Sequence, residues 1–399
     1  MRDPVNDVNN RPPAWVQVLG TAALVLGLTG PLAAQEKAGP EFTFSGTILF
    51  NGWYTAGKTN NADIPQFVVR ETAADSLGTD ATGATLRQTR LRARLFWADV
   101  AGGELRAEVD ADFYGGQPQS PSGKLFSVLR LRRAVAELSW DRGSVMVGQE
   151  VPLIAELNPS SFASIGLSGF SGSGNLWFWL PQIRGRLELS PNKPVGIGIE
   201  AAVLAPTNND VPQSFLTVPD RAEASGRPYL QSRVSVRWGK DETAGEVSIG
   251  GHLGWLATGG DSLLTSKAAA IALRVPLGKV FEIRGEAFTG QALAGLGGGG
   301  IGQNQGLGGV PIQTKGGWGQ LLLKPTAEWE LGTGFGMDDP DDDDLDPATQ
   351  RQRNRAYEVH VHWKPTPLVL GLEYRRLETQ YATGGVTADH VNLALGVSF

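Results

Sequence analysis

The chain has 399 residues, of which 53 are glycine and 24 proline, with no cysteine and a formal net charge of −6. Without cysteine there is no disulfide scaffold, no thiolate zinc site and no cysteine nucleophile. The mild acidity argues against a nucleic-acid partner, and glycine at this level without a three-residue period points to turns and loops.

The first feature in chain order reads as an export signal, with an uncleaved anchor as the other reading. Arg2 and Arg11 precede an apolar run over 15–28, and small residues follow, with cleavage expected after Ala34. The run is shorter than the roughly 20 apolar residues a spanning helix needs. No later stretch approaches that length, so any membrane passage must be built from strands. The expected organisation is a signal peptide over 1–34 and one β-barrel over 35–399.

From there the pattern alternates. Phe42, Phe44, Ile48, Phe50 and Tyr54 share one strand face, against Thr43, Ser45, Thr47 and Asn51. Arg90, Arg92 and Arg94 alternate with Leu91, Ala93 and Leu95. Glu104, Glu108, Asp110 and Asp112 alternate with Leu105, Ala107, Val109 and Ala111. Arg130 and Arg132 follow, with a slip at Arg132-Arg133 that predicts a bulge. Arg184, Arg186, Arg233 and Arg237 sit on two further alternating segments, and Glu358, His360 and His362 on a later one. This is strand period throughout.

Short connections are expected near 101–103, 141–143, 191–194, 239–243, 277–279, 324–325 and 365–367. Long ones are expected near 56–84, 115–124, 150–180, 206–228, 258–265, 291–314, 338–352 and 379–387. That rhythm predicts an all-β fold: a transmembrane antiparallel barrel of about 16 strands, with short periplasmic turns and long extracellular loops. Trp53, Trp97, Trp140, Tyr229, Trp238, Trp255, Phe281 and Trp363 fall near strand ends and are expected to form two interfacial girdles. The last strand carries Val391, Leu393, Leu395, Val397 and Phe399 on one face, as an assembly signal of outer-membrane proteins does.

A soluble sandwich would also alternate, with the oily face as core. The export signal, the short and long rhythm, the aromatic clusters and the closing strand oppose it, and the arginines say what fills the barrel. Arg90, Arg92 and Arg94 recur about 7 Å apart along a strand. Each pair repels by roughly 0.6 kcal/mol in water and by about 12 kcal/mol, as an upper bound, in a dry interior. A water-filled lumen tolerates such a ladder and a dry core does not, so the charged face is expected inside and the oily face against lipid.

The segments 88–97, 102–116, 129–140, 145–152 and 180–189, with the closing Leu-Gly-Val-Ser-Phe, resemble bacterial porins of the DcaP-like family. The resemblance implies a 16-stranded barrel, commonly trimeric, in the bacterial outer membrane. It further implies passage of small solutes, with a bias towards dicarboxylate-like anions, and partners limited to membrane lipid, the barrel-assembly machinery and those solutes. It also implies that the third long loop folds inward over about 155–175, making Glu156, Asn158, Ser160, Phe162 and Ser164 a constriction. DcaP-like porins can carry a helical segment ahead of the barrel, whereas only seven residues, 35–41, separate the expected cleavage from the first strand.

The basic ladder reads either as an anion-attracting wall or as cross-strand pairing with the neighbouring acids. The aspartate run over 337–347 reads as a solvated loop, and the glycine run over 295–309 as a flexible external loop with no helix to make it a dinucleotide site. His360 and His362 read as lumen-lining, with no third metal ligand apparent beyond Glu358. No cofactor, metal or catalytic constellation is expected. The competing readings are a plugged structural or receptor barrel and an outer-membrane lipase.

Overall fold

The computed structural model describes residues 39–399 apart from 76–77, 116–126, 192, 210–218 and 260–261. The expected signal segment, 1–34, lies outside the described residues. The strands are β1 (Glu41–Ala56), β2 (Ala81–Thr85), β3 (Arg90–Val100), β4 (Gly103–Gly115), β5 (Val128–Trp140), β6 (Gly143–Glu150), β7 (Leu180–Glu188), β8 (Val195–Leu204) and β9 (Tyr229–Trp238). They continue as β10 (Gly245–Gly259), β11 (Ser262–Leu277), β12 (Phe281–Gln291), β13 (Gln313–Leu323), β14 (Trp329–Pro340), β15 (Arg351–Trp363), β16 (Leu368–Tyr381) and β17 (Gly384–Ser398). Each pairs antiparallel with its neighbour, and β1 closes on β17 from Thr47↔Ser398 to Ala56↔Asp389. β2 and β3 both pair with β1, over 51–55 and 41–47, so they form one interrupted stave and the closed barrel has 16. No described helix is long and apolar enough to cross a membrane, and the crossing falls to strands.

Exposure settles the orientation. Phe42 is 75 % exposed, Ile183 61 % and Ile249 63 %, while Asp110, Asp112 and Asn51 are fully buried. The aliphatic face therefore looks outward and the polar face inward, the reverse of a soluble core. Val109 is exposed on that outer face beside half-buried Leu91 and Leu95. Trp97, Trp140, Phe281, Trp329 and Trp363 form an exposed aromatic ring at the short-turn end, where indoles suit the bilayer interface. Trp53 and Tyr229 are corrections to the expected girdle: both point inward and are buried. Trp53 shares the face of Asn51 and covers Gly83, and the Tyr229 hydroxyl donates to the Thr207 carbonyl at 2.6 Å.

Among the described residues the turn and loop rhythm holds with two corrections, and the expected long connection near 115–124 lies outside them. Strand pairing runs on through the segments near 258–265 and 379–387, as far as Gly259 with Ser262 and Tyr381 with Gly384. Their polar, glycine-rich composition belongs to strand ends that extend beyond lipid into water. The short turns use glycine where the backbone needs positive φ, as at Gly102 (74°) and Gly278 (72°).

The lumen is also not uniformly wet. Leu153, Ile154 and Leu176 from the 151–179 loop and Leu293 and Leu296 from the 292–312 loop pack on inward-facing Leu204, Leu256 and Phe288 in one buried cluster. The 295–309 run is held rather than free. The amides of Gly299, Gly300 and Ile301 donate to the buried Asp338 carboxylate at 3.1, 3.0 and 2.9 Å. Asp338 thus leaves the solvated aspartate run, because its inward register places it beneath those amides.

Candidate functional site

The basic wall begins with the expected bulge. Asp110 pairs with Arg133 and Ala111 with Leu131, which leaves Arg132 as the extra residue of β5. The bulge turns Arg132 and Arg133 to the same side, next to Arg130. Arg133 was not among the expected lumen residues, because strict alternation points it outward.

Every arginine of the ladder has an acidic partner. Arg90 chelates Asp110, Arg92 lies 3.3 Å from Asp110 and 3.5 Å from Glu108, and Arg94 lies 2.7 Å from Glu108. Arg130 and Arg132 meet Asp112 at 2.6 and 3.1 Å, and Arg133 bridges Glu108 and Glu150. Arg184 and Arg233 both hold Glu156, while Arg186 meets Glu188 at 3.0 Å and Glu200 at 2.9 Å. Arg237 stands 3.7 Å from Glu188 and from Glu246. Glu104 pairs with Arg106 at 3.0 Å, both exposed by the turn after β3.

The gap between β2 and β3 has a counterpart inside. There Arg87 and Gln88 are both buried. Arg87 pairs with Asp63 and stacks on Tyr114 at 4.0 Å. Gln88 accepts from the amides of Ile165 and Gly166 at 2.6 and 3.2 Å and donates to the Ala163 carbonyl at 3.0 Å.

Those last partners belong to the loop over 151–179, which crosses the barrel interior. Leaving β6, it is held by Glu156 against the basic wall and then reaches the opposite one. The Leu157 amide donates to Glu286 at 2.7 Å, the Ser160 amide to Gln320 at 2.8 Å and the Ser161 hydroxyl to Glu373 at 2.6 Å. The Phe162 and Ala163 amides also donate to Glu373, and Arg375 donates to the Ser164 hydroxyl at 2.6 Å. The Asn158 carbonyl accepts from Arg284 at 3.2 Å. Acids of β12, β14 and β16 thus bind loop backbone and hydroxyls, and Arg130 and Arg132 donate to the Gly166 and Ile165 carbonyls. The apolar residues of the loop are divided among four buried clusters, with Leu153 and Leu176 in one, Phe170 in a second, Leu167 and Trp177 in a third and Ile165 against a fourth.

Between loop and basic wall lies a cavity of about 400 Å³. Arg90, Arg132, Arg133 and Arg184 line it with Glu150, Glu156 and Trp179, an excess of two positive charges over that set (four arginines less two glutamates). Of the expected constriction residues, Glu156, Asn158 and Ser164 line this cavity. Ser160 and Phe162 turn to the far wall instead, Ser160 onto Glu330 and Phe162 against the His362 ring at 4.2 Å between centroids. Alternation could not foresee this, since a loop docked on two walls has no strand period.

No protein-family model matches the sequence, and no curated protein matches it. Solved structures do match in shape. The outer-membrane channel DcaP of Acinetobacter baumannii superposes with a TM-score of 0.66 at 17 % identity, over 92 % of this chain and 99 % of that one. The chain has the porin fold. An anion-selective porin from Comamonas acidovorans (TM-score 0.56, 12 % identity, 90 % and 100 % coverage) shares it. So does the trimer form of OmpT of Vibrio cholerae (0.52, 9 %, 91 % and 100 %). The outward apolar belt and closed strand ladder of this porin fold suit the bacterial outer membrane. Phe399 completes the closure: its amide and carbonyl exchange hydrogen bonds with Gly46 at 3.1 and 3.0 Å, and its ring lies 5.7 Å from Phe44.

Proposed function

We propose that the chain, exported by residues 1–34, is an outer-membrane porin passing small hydrophilic solutes, with a preference for anions of dicarboxylate type. The cavity between the inward loop and the basic wall carries the reading. Its four arginines outnumber its two glutamates, and a confined passage of low-dielectric walls concentrates ions of the opposite sign. Separated guanidinium groups around one cavity suit a solute with two carboxylates. The Comamonas neighbour, described as anion-selective, has the same fold, and the OmpT trimer form supports a homotrimer here. Light scattering in detergent is expected to report three chains. Phe399 is proposed as the strand end that the assembly machinery reads.

The test is reversal potential in a potassium chloride gradient across a planar bilayer. The wild type is expected to favour chloride, and Arg90→Gln with Arg133→Gln to lose most of that preference. Unchanged selectivity sinks the proposed role of the wall. A plugged barrel is the second reading, favoured by the dry cluster that fills one side of the lumen; absence of conductance in a folded protein would establish it. Against a lipase, the His252–Ser266 pair (3.1 Å) is buried inside the barrel, with an amide, Gln231, on the other ring nitrogen instead of a carboxylate.

A further inference from the structure

Behind the loop, two neighbouring strands bring together groups some distance apart in sequence. Glu330 on β14 stands beside His360 and His362 on β15, and all three are buried. One ligand atom from each lies within 4.8 Å of the others. Glu330 Oε1 is 3.5 Å from His360 Nε2 and 3.4 Å from His362 Nδ1. For metal–ligand bonds of ~2.1 Å, the edge of a tetrahedron is about 3.4 Å. Neither ring nitrogen of His360 makes a hydrogen bond, although the side chain is 3 % exposed.

The far side of each ring also has a carboxylate. His362 Nε2 is 3.0 Å from Glu373, and His360 Nδ1 is 3.5 Å from Glu358. A carboxylate behind a ligating histidine fixes the ring and raises its basicity. Among the described residues, the lysine and arginine side chains paired with Glu330, Glu358 and Glu373 are Lys364 (3.2 Å from Glu330) and Arg375 (2.9 Å from Glu358). With neutral imidazoles the cluster keeps one negative charge in excess. The two rings lie nearly parallel at 4.1 Å, and the His360 ring lies directly over Gly332 on the neighbouring strand, where a Cβ would not fit.

We infer that Glu330, His360 and His362 form a binding site for a divalent transition-metal ion of the zinc type. Two imidazoles and one carboxylate suit zinc and its neighbours, not calcium or magnesium, which take oxygen ligands. The Ser160 hydroxyl contacts the same Glu330 oxygen, so the ion would sit where the inward loop meets the wall and tie the two together.

The test uses the tag-free full chain refolded in detergent, titrated with Zn²⁺ by calorimetry and with Co²⁺ by visible absorption. One equivalent per chain with micromolar or tighter affinity is expected, unaffected by excess Mg²⁺, together with the intense visible bands of four-coordinate Co²⁺. His360→Gln with His362→Gln is expected to weaken binding at least ten-fold, while the surface variant Asp343→Asn leaves it unchanged. No binding by the folded wild type overturns the site and would mean that a proton on an imidazole offsets the charge. Undiminished binding in the folded double variant overturns it too. Should that variant not refold, zinc-edge X-ray absorption on the wild type decides: imidazole ligands support the site and an oxygen-only shell overturns it. The chain has four histidines. His252 and His390 stand elsewhere, bonded to Gln231 and Thr55, so two imidazoles on one ion must be His360 and His362.

Discussion

Arg133 exists as a lumen residue because one position of β5, Arg132, has no counterpart on β4. The slip was legible in sequence as two adjacent arginines breaking an alternation. Its consequence was not, because the partners come from a different strand. Asp110 is the residue on which this arrangement turns, being fully buried and within reach of Arg90, Arg92 and Arg132. Asp110→Asn keeps the shape and removes the charge. Breaking one member of a wholly buried pair costs about 3–5 kcal/mol. Here the arginine side chains are 29 %, 25 % and 9 % exposed, and water in the lumen screens the first two, so a loss of about 2–3 kcal/mol is expected in urea unfolding of the refolded barrel. The same change should raise the preference for chloride, since it leaves the guanidiniums in place. A drop in stability with reduced chloride preference would contradict this account of the wall.

At the scale of the element, the loop over 151–179 has its length and position written in the sequence but not its path. Its path depends on acids that lie 129 to 212 residues further along the chain. Glu373 is the principal tether, accepting from Ser161, Phe162 and Ala163 at once. Glu373→Ala would leave those two amides and the hydroxyl without their acceptor. Single-channel conductance of that variant is expected to be larger and to fluctuate between levels, with Gln88→Ala adding to the effect. Steady conductance equal to wild type would show that the loop is held by its apolar cluster alone. The loop residues chosen from sequence divide for a related reason. Glu156 carries a charge that demands a counter-ion, and Arg184 and Arg233 supply it. Phe162 was not legible as a wall contact, because an aromatic in a loop carries no signal of which surface it meets.

For the whole molecule, closure is the cooperative event. The seam between β1 and β17 joins residues 351 apart, as in the Thr47–Ser398 hydroxyl pair, and no local contact announces it. Phe399 finishes the seam, its ring lying over Gly46, where an added Cβ would meet it at 2.9 Å. Removal of Phe399 is expected to lower the temperature at which the folded barrel loses its compact mobility on unheated gels. Gly46→Val is expected to do the same with Phe399 present. If both variants keep the wild-type transition, the terminal residue serves recognition alone and adds nothing to the seam.

The sequence by itself determined what depends on near neighbours. Side chains two apart share a strand face, so the oily and charged faces, the strands, most turns and the bulge could be read directly. The tertiary structure alone decided which residues meet across the lumen: the interruption that buries Arg87 and Gln88, the loop's passage to Glu286 and Glu373, the dry cluster beside the cavity, and Glu330 next to two histidines. These contacts join segments with no periodic relation to one another. Their identity follows from register and closure, which a pattern of alternation leaves open.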